Sequence, residues 1–379
     1  MTSLRAYRPL VWPVAIALLA VVLYNSRVRH EMVDFEVYWT AAGRALHAQP
    51  LYQAGDGHYQ FKYLPAFAVV LAPMAVLGHD TAQTLWFAMS VGLLMAFVRW
   101  SITGLPERRR SPRVLTWLTL LFMAKFYAHE LMLGQANIFL GTLLVAALLA
   151  VQIDQPRAAG VLIGIAVFVK PYALVLLPWL AFSHGPVAAL WSLGVIGTGL
   201  VLPASVYGWQ GNLDQLTQWY QTVSLTTAPN LVGADNISLA AMWAKWLGVG
   251  RVASGLATVS AGAVLGLAAV VWRRRHDVGE PDYLEVALLM LLVPLLSPQG
   301  WDYVLLLATP AVICLVDRWS DVTPAWRAFT AVALALMGLT IFDLMGRALY
   351  AEFMALSIVT LCALGVAVAL MRLRARALA

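Results

Sequence analysis

Long apolar runs alternate with short polar segments along the whole chain. Most of these runs approach the roughly 20 residues that an α-helix needs to cross the hydrocarbon core of a bilayer. No polar stretch is long enough to form a separate soluble domain. The pattern therefore predicts a single all-α, polytopic membrane domain over residues 1–379 with about twelve transmembrane helices. The predicted spans are, roughly, Pro9–Tyr24, Ala82–Ile102, Val114–Tyr127, Ile138–Ile153, Ala158–Val169, Tyr172–Phe182, Val187–Tyr207, Val252–Trp272, Leu284–Leu296, Val304–Val316, Ala328–Leu344 and Ala351–Met371.

Three segments need a separate interpretation. The run Leu64–Gly78 contains two prolines and is short for a span, so we expect a re-entrant or interfacial helix, with a short tilted span as the alternative. The run Ile237–Leu247 fits a helix lying near the membrane interface. The first apolar run could be a signal peptide, but no small-residue cleavage site follows it, and we expect it to be retained as the first span. Two long polar segments, Asn25–Tyr63 and Gly208–Asn236, are predicted outer loops.

Composition supports this class of protein. Hydrophobic residues make up 61% of the chain and charged residues 12%, whereas soluble domains carry about 25% charged residues. The mean hydropathy is +0.76. Both cysteines, Cys314 and Cys362, fall inside apolar runs and are expected to be buried small hydrophobes.

The formal net charge of +6 arises largely from short arginine clusters between the predicted spans. Such clusters set membrane orientation and are expected to face the cytoplasm, so the charge does not indicate binding to nucleic acid. The clusters are Arg5 with Arg8, Arg108–Arg110 with Arg113, Arg273–Arg275, and Arg372 with Arg374 and Arg376.

This orientation places the unusual polar residues together on the outer side of the membrane. Polar groups that converge on one face predict a single cavity open to the extracytoplasmic side. The residues are Asp34, Glu36, His129, Glu130, Gln135, Asn137, Lys170, Asp235, Asn236, Gln299 and Asp302.

Asp34 is the residue on which the functional interpretation turns, and two roles are open to it. A carboxylate at the mouth of a membrane cavity can accept a proton from a substrate hydroxyl as a general base. Aspartate is also favoured at helix N-caps, and a helix-like segment follows it. From the residues alone, the cap is the simpler interpretation.

Lys170 ends an apolar run and precedes Pro171. A lysine at membrane depth is costly and should face protein or water. It can pair with a lipid phosphate or extend its ammonium group to the interface, and the sequence does not separate these roles.

The segment from Gln299 to Tyr303 combines a carboxylate, an amide and aromatic rings. This mixture suits a sugar ring, and the alternative is an interfacial aromatic belt, which 15 tryptophans and 13 tyrosines make plausible. His129, Glu130, Gln135 and Asn137 lie on a predicted outer turn, where they could bind sugar hydroxyls or form only the turn.

The histidines show no metal-ligand spacing, and neither a phosphate-binding loop nor a dinucleotide fingerprint occurs in the sequence. We therefore expect no metal and no cofactor, and we do not expect a soluble nucleotide-sugar enzyme.

Several of these segments together resemble a known family. The run Asp34–Ala42 is followed by Pro50-Leu51-Tyr52 and by Phe61-Lys62-Tyr63-Leu64-Pro65. This order resembles the opening signature of glycosyltransferase family 87, the polyprenyl-phosphate-mannose-dependent mannosyltransferases of the GT-C fold. Further similar segments are Gly134-Gln135-Ala136-Asn137, Gly164 through Lys170-Pro171, Asp235-Asn236-Ile237-Ser238, and Ser297-Pro298 with Trp301.

The resemblance implies a concrete activity. Asp34 would be the general base, the donor would be a sugar on a polyprenyl phosphate, and the acceptor would be a lipid or a glycan. The transfer would invert the anomeric centre on the extracytoplasmic face of the cell membrane. The residues expected to bind substrate are Glu36, Tyr38, Arg44, Tyr63, His129, Glu130, Gln135, Asn137, Lys170, Asp235, Asn236, Gln299, Trp301 and Asp302.

The chain departs from the family pattern after Trp301, where the family often carries histidines and this chain has Asp302-Tyr303. This departure leaves the donor sugar and the acceptor open. The alternative function is a polytopic transporter or lipid-binding scaffold, which would place its polar residues near the bilayer midplane rather than at one face.

Overall fold

A computed structural model describes the chain over residues 18–376, and its side chains through Arg374. Within these residues the regular structure is helical, apart from an isolated antiparallel bridge between Asn236 and Trp301. The predicted all-α class is therefore confirmed for the described part of the chain. Most of the predicted first span, together with Arg5 and Arg8, lies outside the described residues.

The α-helices are α1 (18–26), α2 (Val33–Leu46), α3 (Pro65–Leu71), α4 (His79–Thr103), α5 (Pro112–Leu133), α6 (Asn137–Gln152), α7 (Pro156–Val169), α8 (Leu176–His184), α9 (Pro186–Val201), α10 (Ala204–Leu231), α11 (Leu239–Leu247), α12 (Arg251–Arg273), α13 (Asp282–Leu296), α14 (Thr309–Asp317), α15 (Pro324–Gly338), α16 (Phe342–Met345), α17 (Arg347–Ala355) and α18 (Ile358–Arg376). Short 3₁₀ segments lie at Val28–His30, Ala54–Tyr59, Ala72–Val76, Pro171–Val175, Arg275–Asp277, Asp302–Ala308 and Trp319–Asp321.

The helix ends follow local sequence chemistry. Proline occupies the first turn of α5, α7, α9 and α15, where its missing N–H leaves no hydrogen bond unmade. The hydroxyl oxygen of Ser238 accepts a hydrogen bond from the N–H of Ala241 at 3.0 Å and caps α11. Gly134 has a φ of 68° and ends α5 in the left-handed conformation that glycine adopts readily.

The core is built around α6, α13 and the broken segment formed by Asp302–Ala308 and α14. Every residue from Asp302 to Asp317 is buried, and α13 is buried along most of its length. The helices α4, α5 and α18 pack around this centre, and α7 packs on both α6 and α9.

Two helices, α4 and α12, are long and apolar enough to cross a membrane. The number rises to four if the pair α9 and α10, bent by 88°, and the pair α17 and α18, bent by 53°, each form one broken span. The chain is thus an apolar helical membrane protein, while the number of about twelve spans stays a prediction.

Two predicted boundaries are wrong. Helix α5 continues to Leu133, so His129 and Glu130 lie in its last turns rather than in a connecting turn. The predicted loop Gly208–Asn236 is helical through Leu231. This helix has no apolar run, and polar residues stabilise it by binding the backbone of other segments, as Gln215 does with the N–H of Leu51.

The short run Leu64–Gly78 forms α3 and the following 3₁₀ turn, as a short interrupted helix. Both cysteines are free and buried, as expected.

We expect substitution of Gly160 by alanine to destabilise the fold by about 1–3 kcal/mol, because overpacking strains a tight interface. A Cβ atom at Gly160 in α7 would overlap the backbone carbonyl oxygen of Ala188 in α9. The matched control is Gly194→Ala in α9, where no heavy atom lies within 4 Å of the added Cβ. Thermal unfolding in detergent measures both variants, and equal midpoints would contradict the prediction.

Candidate active site

One polar pocket of about 290 Å³ collects side chains from segments far apart in the sequence. The predicted site residues that line it come from α2, the Tyr63 loop, the end of α5, the turn before α6, the residue after α7, and the loops before α11 and α14. They are Asp34, Tyr38, Tyr63, His129, Gln135, Lys170, Asp235, Gln299 and Trp301. Of the eleven polar residues predicted to converge on one cavity, six line this pocket, namely Asp34, His129, Gln135, Lys170, Asp235 and Gln299.

Asp34 lies on the first turn of α2 and borders the pocket. Its neighbours Phe35 and Tyr38 are fully buried and fix the rotation of the helix about its axis. The N-cap residue of α2 is Met32, and it forms no side-chain cap hydrogen bond. Asp34 therefore does not cap the helix, and the simpler interpretation of this residue is wrong.

Burial raises the pKa of Asp34 above its ordinary value of 3.8. A hydrogen bond from Gln135 and the nearby ammonium groups of Lys170 and Lys62 oppose this shift by favouring the ionised form. The carboxylate is thus desolvated, and positive groups surround it. A half-buried carboxylate in such surroundings can act as a base near neutral pH.

Gln135 is the centre of a hydrogen-bond network that fixes the pocket wall. Its Oε1 accepts a hydrogen bond from the Tyr38 hydroxyl at 3.0 Å, and its Nε2 donates to the Tyr303 hydroxyl at 3.2 Å. The hydroxyls of Tyr38 and Tyr63 lie 2.7 Å apart. The second N–H of the amide is available to Asp34, so the network holds Gln135 in the orientation that donates to the carboxylate.

Two lysines face the pocket. Lys170 follows the end of α7, and its Nζ lies 5.6 Å from the centroid of the Tyr63 ring. Lys62 was not predicted as a site residue, although it stands between Phe61 and Tyr63 in the family-like motif. Burial lowers the pKa of Lys62, and the carboxylate of Asp34 partly restores it. The pair provides positive charge beside Asp34.

A buried ion cluster lies behind the pocket. Asp302 is fully buried, and its carboxylate lies 3.3 Å from Nζ of Lys125 and 3.1 Å from Nδ1 of His129. The His129 ring packs edge-on against Tyr303, with ring centroids 5.1 Å apart. Asp302 therefore orients His129 at the pocket wall instead of lining the pocket itself. Lys125 was missed because it falls inside a predicted span, where sequence spacing gives no sign of its partner.

Asp235 connects this cluster to the loop before α11. Its carbonyl oxygen accepts a hydrogen bond from the N–H of Asp302 at 2.9 Å, and its carboxylate accepts one from the Tyr350 hydroxyl at 3.2 Å. Burial and the neighbouring charge of Asp302 raise the pKa of Asp235. The bridge between Asn236 and Trp301 lies directly alongside.

Three further predicted residues brace the surrounding backbone, together with Asp302, rather than line the pocket. Glu130 accepts hydrogen bonds from Nδ2 of Asn137 at 2.8 Å and from the N–H of Ile138 at 2.9 Å, which closes the turn between α5 and α6. Asn236 donates from Nδ2 to the carbonyl oxygen of Pro298 at 2.9 Å. Their side chains are fully buried or nearly so.

Glu36 and Arg44 lie outside the pocket, beside a separate cavity. Glu36 is only two positions from Asp34, and residues at that spacing do not share a helix face. Its carboxylate lies 2.6 Å from Nε2 of His79. Arg44 is bound to both carboxylate oxygens of Asp56, at 2.6 and 2.7 Å, so its charge is engaged away from the pocket.

A second, apolar cavity of about 930 Å³ adjoins the polar pocket. Val169 lines both cavities, and the ring of Phe67 in the apolar cavity stacks on Tyr63 with centroids 4.6 Å apart. The remaining walls come from α4, α6, α7 and α9. Among the described residues, no group of three or more His, Cys, Asp or Glu side chains could hold a metal ion.

We expect Asp302→Leu to destabilise the protein by about 3–5 kcal/mol, because it leaves the buried ammonium of Lys125 without its partner. The double variant Lys125→Met/Asp302→Leu removes both charges and should recover much of the loss. The control Asp80→Leu, at a largely exposed carboxylate, should cost less than about 1 kcal/mol. Thermal unfolding in detergent tests this series, and a double variant no more stable than Asp302→Leu would rule out the ion-pair explanation.

Comparison with known proteins bears on the same residues. The sequence model of glycosyltransferase family 87 matches residues 61–298, which is more than half of the chain. No curated protein and no solved structure matches the chain. The matched range contains Lys62, Lys170 and Asp235, while Asp34 precedes it. This chain belongs to glycosyltransferase family 87.

Proposed function

We propose that this glycosyltransferase moves a hexose, with mannose the first candidate, from a polyprenyl-phosphate donor to a hydroxyl of a lipid or glycan acceptor. The protein would be a multi-pass membrane enzyme of the GT-C type, and the transfer would take place on the extracytoplasmic face. The observation that carries this proposal is the placement of Asp34 and two lysines in one small pocket that adjoins a large apolar cavity.

The two cavities match the two parts of the proposed donor. A polyprenyl phosphate sugar has a long hydrocarbon chain, an anionic phosphate and a polar sugar. Burial of apolar surface is favourable by roughly 25 cal/mol per Å², so the hydrocarbon would occupy the apolar cavity beside Phe67 and Val169. The phosphate and the sugar would then lie in the polar pocket, where charged and hydrogen-bonding groups are available.

In the proposed mechanism, Asp34 removes the proton from the acceptor hydroxyl. The resulting oxygen nucleophile attacks the anomeric carbon as the bond from that carbon to the phosphate oxygen breaks. The proton ends on Asp34, the new glycosidic bond replaces the old one, and the polyprenyl phosphate leaves. Attack opposite the leaving group inverts the anomeric centre.

The departing phosphate gains negative charge, and preorganised positive groups stabilise such charge strongly in a site that excludes water. Lys170 and Lys62 are suited to this role because both line the pocket. His129, oriented by Asp302, adds a third donor in the same pocket. Arg44, which the sequence placed among the substrate-binding residues, is not assigned to the phosphate, because Asp56 already engages its guanidinium group.

The sugar ring would contact Gln299, Trp301 and Asp235, which also line the pocket. Nε2 of Gln299 donates to the Thr227 hydroxyl at 3.1 Å, which fixes the amide and leaves its oxygen available to a sugar hydroxyl. The indole of Trp301 offers an apolar surface for a sugar face.

The proposed sidedness rests on charge. The arginine clusters at 108–110 and 273–275 lie at the ends of α5 and α12 and next to α13, while the polar pocket lies at the other ends of α5 and α13. Arginine-rich ends favour the cytoplasmic side, so the pocket would face outward.

Replacing Asp34 by asparagine should lower kcat by about 10²–10⁴-fold, because the amide cannot accept the proton. The KM for the donor should change little, since the lysines and the apolar cavity remain. Transfer from purified polyprenyl-phosphate mannose in detergent measures both constants. Glu36→Gln is the control, as Glu36 is an acidic neighbour outside the pocket. Near-normal turnover by Asp34→Asn would eliminate this base.

The pH dependence of kcat/KM should have an acidic limb that reports the Asp34 carboxylate in the free enzyme. Burial raises the pKa of Asp34. When the pH is lowered, activity should therefore begin to fall at a higher pH than it would with an aspartate of ordinary pKa. Lys62→Met should move this limb further upward, since it removes a charge that lowers the pKa of Asp34. A limb that stays in place in Lys62→Met would indicate a different titrating group. The control for a general loss of positive charge is Arg27→Met, at an exposed arginine that pairs with Glu31.

A further inference from the structure

A cavity of about 590 Å³ lies at the opposite end of the molecule from the candidate active site. It is formed by the loop between α4 and α5, the segment before α13, and the ends of α14 and α18. Helix α5 begins beside this cavity and ends, 22 residues later, at the polar pocket, which separates the two by about 33 Å. The cavity takes no part in the proposed transfer reaction.

The side chain of Arg374 lines this cavity and is only 3% exposed. Its Nε and Nη2 atoms have no hydrogen-bond partner among the described residues. The nearest carboxylate oxygen belongs to Glu285 and lies 3.9 Å away, beyond hydrogen-bond distance. Buried polar groups in folded proteins nearly always have a partner. The guanidinium group therefore needs a hydrogen-bond acceptor that the described residues do not supply.

Asp282 and one oxygen of Glu285 have other partners, whereas Oε1 of Glu285 has no hydrogen-bond partner among the described residues and lies 3.9 Å from Nη2 of Arg374. Glu285 accepts a hydrogen bond from the Trp179 indole at 2.8 Å and lies 3.4 Å from Arg275. Asp282 lies 2.7 Å from Arg275 and 2.9 Å from His184. Glu285 is the carboxylate nearest to Arg374 in this network, and Arg275 shares its charge.

The carboxylates beside the loop between α4 and α5 are also engaged. Asp317 accepts hydrogen bonds from the backbone N–H groups of Arg109 and Arg110 at 3.0 and 2.8 Å. Asp321 pairs with the Arg109 side chain. Arg318 donates to the carbonyl oxygen of Pro106 at 3.0 Å.

In this cavity two acidic side chains lie at the rim and two arginine side chains lie deeper. The carboxylate of Glu107 lies at the rim with 84% of its side chain exposed, and Glu280 is exposed beside it. The guanidinium groups of Arg374 and Arg318 lie deeper. Leucine and valine side chains form the remaining walls. The cavity thus offers, at its floor, a guanidinium group of which two nitrogen atoms lack hydrogen-bond partners among the described residues, with apolar surface beside it.

We propose that this cavity is a binding site for a phosphate group, with Arg374 as its principal ligand. A guanidinium group presents planar donors that match two phosphate oxygens. The phosphate can come from a phospholipid headgroup, whose glycerol and acyl portion would follow the apolar wall, or from a free phosphate in solution. Binding is non-covalent and does not depend on the proposed transferase activity.

The test uses the full chain purified in a neutral detergent, with two probes applied separately. In one arm inorganic phosphate is titrated, and in the other phosphatidylglycerol is added in mixed micelles, with phosphatidylcholine as the lipid control. Phosphorus NMR line broadening and the thermal unfolding midpoint report binding. Saturable binding of inorganic phosphate would show that free phosphate is a sufficient ligand. Binding of phosphatidylglycerol without binding of inorganic phosphate would show that the ligand is a phospholipid headgroup.

Arg374→Gln should weaken binding by about tenfold or more, as expected for loss of a charge-assisted hydrogen-bonding group. Arg374→Lys keeps the charge but loses the paired donors and should have intermediate affinity. Should Arg374→Gln fail to fold, Arg374→Lys decides the result. The matched control is Arg372→Gln, two residues earlier on α18, where the exposed guanidinium group stacks on Trp326 at 4.8 Å. No binding in either arm, or equal affinity in the wild type and Arg374→Lys, would overturn the proposal.

Discussion

The fully buried carboxylate of Asp302 is the constraint on which the candidate site depends. It lies between Lys125 and His129 of α5, and its backbone N–H binds the carbonyl oxygen of Asp235. One residue thereby joins α5 to the loops before α11 and α14. Removing a charge from water is unfavourable unless partners compensate it. The arrangement of the three segments is therefore coupled to the ion cluster, and the pocket wall formed by His129, Asp235 and Trp301 follows from it.

Another part of the pocket wall is fixed by neutral hydrogen bonds. Gln135 binds Tyr38 and Tyr303, and these contacts determine where its remaining N–H points. Asp34 lies in the same pocket, where both the Gln135 amide and nearby positive groups act on its carboxylate. Burial favours its protonated form, whereas the amide and the lysines favour its ionised form. This balance would let one carboxylate both accept and release a proton, as the proposed general base must.

Sequence patterns predicted the all-α class and nine of the twenty residues that line the pocket, and they failed where long-range contacts decide the structure. Hydropathy located α4 and α12 within a few residues, and the family-like motifs contain seven of those nine pocket residues. Lys125 was hidden because its charge is compensated by Asp302 from a distant segment. Helix α10 was predicted as a loop because its stability comes from polar contacts, such as the hydrogen bond from the N–H of Leu51 to Gln215. Spacing along the chain carries no record of either contact.

The family model covers only part of the candidate site. The match begins at residue 61, after Asp34, and ends before Trp301 and Asp302. The matched range therefore contains the lysines and the walls of the apolar cavity, which suit an anionic lipid-linked donor. The proposed base and the His129-orienting carboxylate come from outside that range. The proposed donor site thus lies within the range that the family model covers, whereas the proposed chemistry at the acceptor hydroxyl depends on residues outside it.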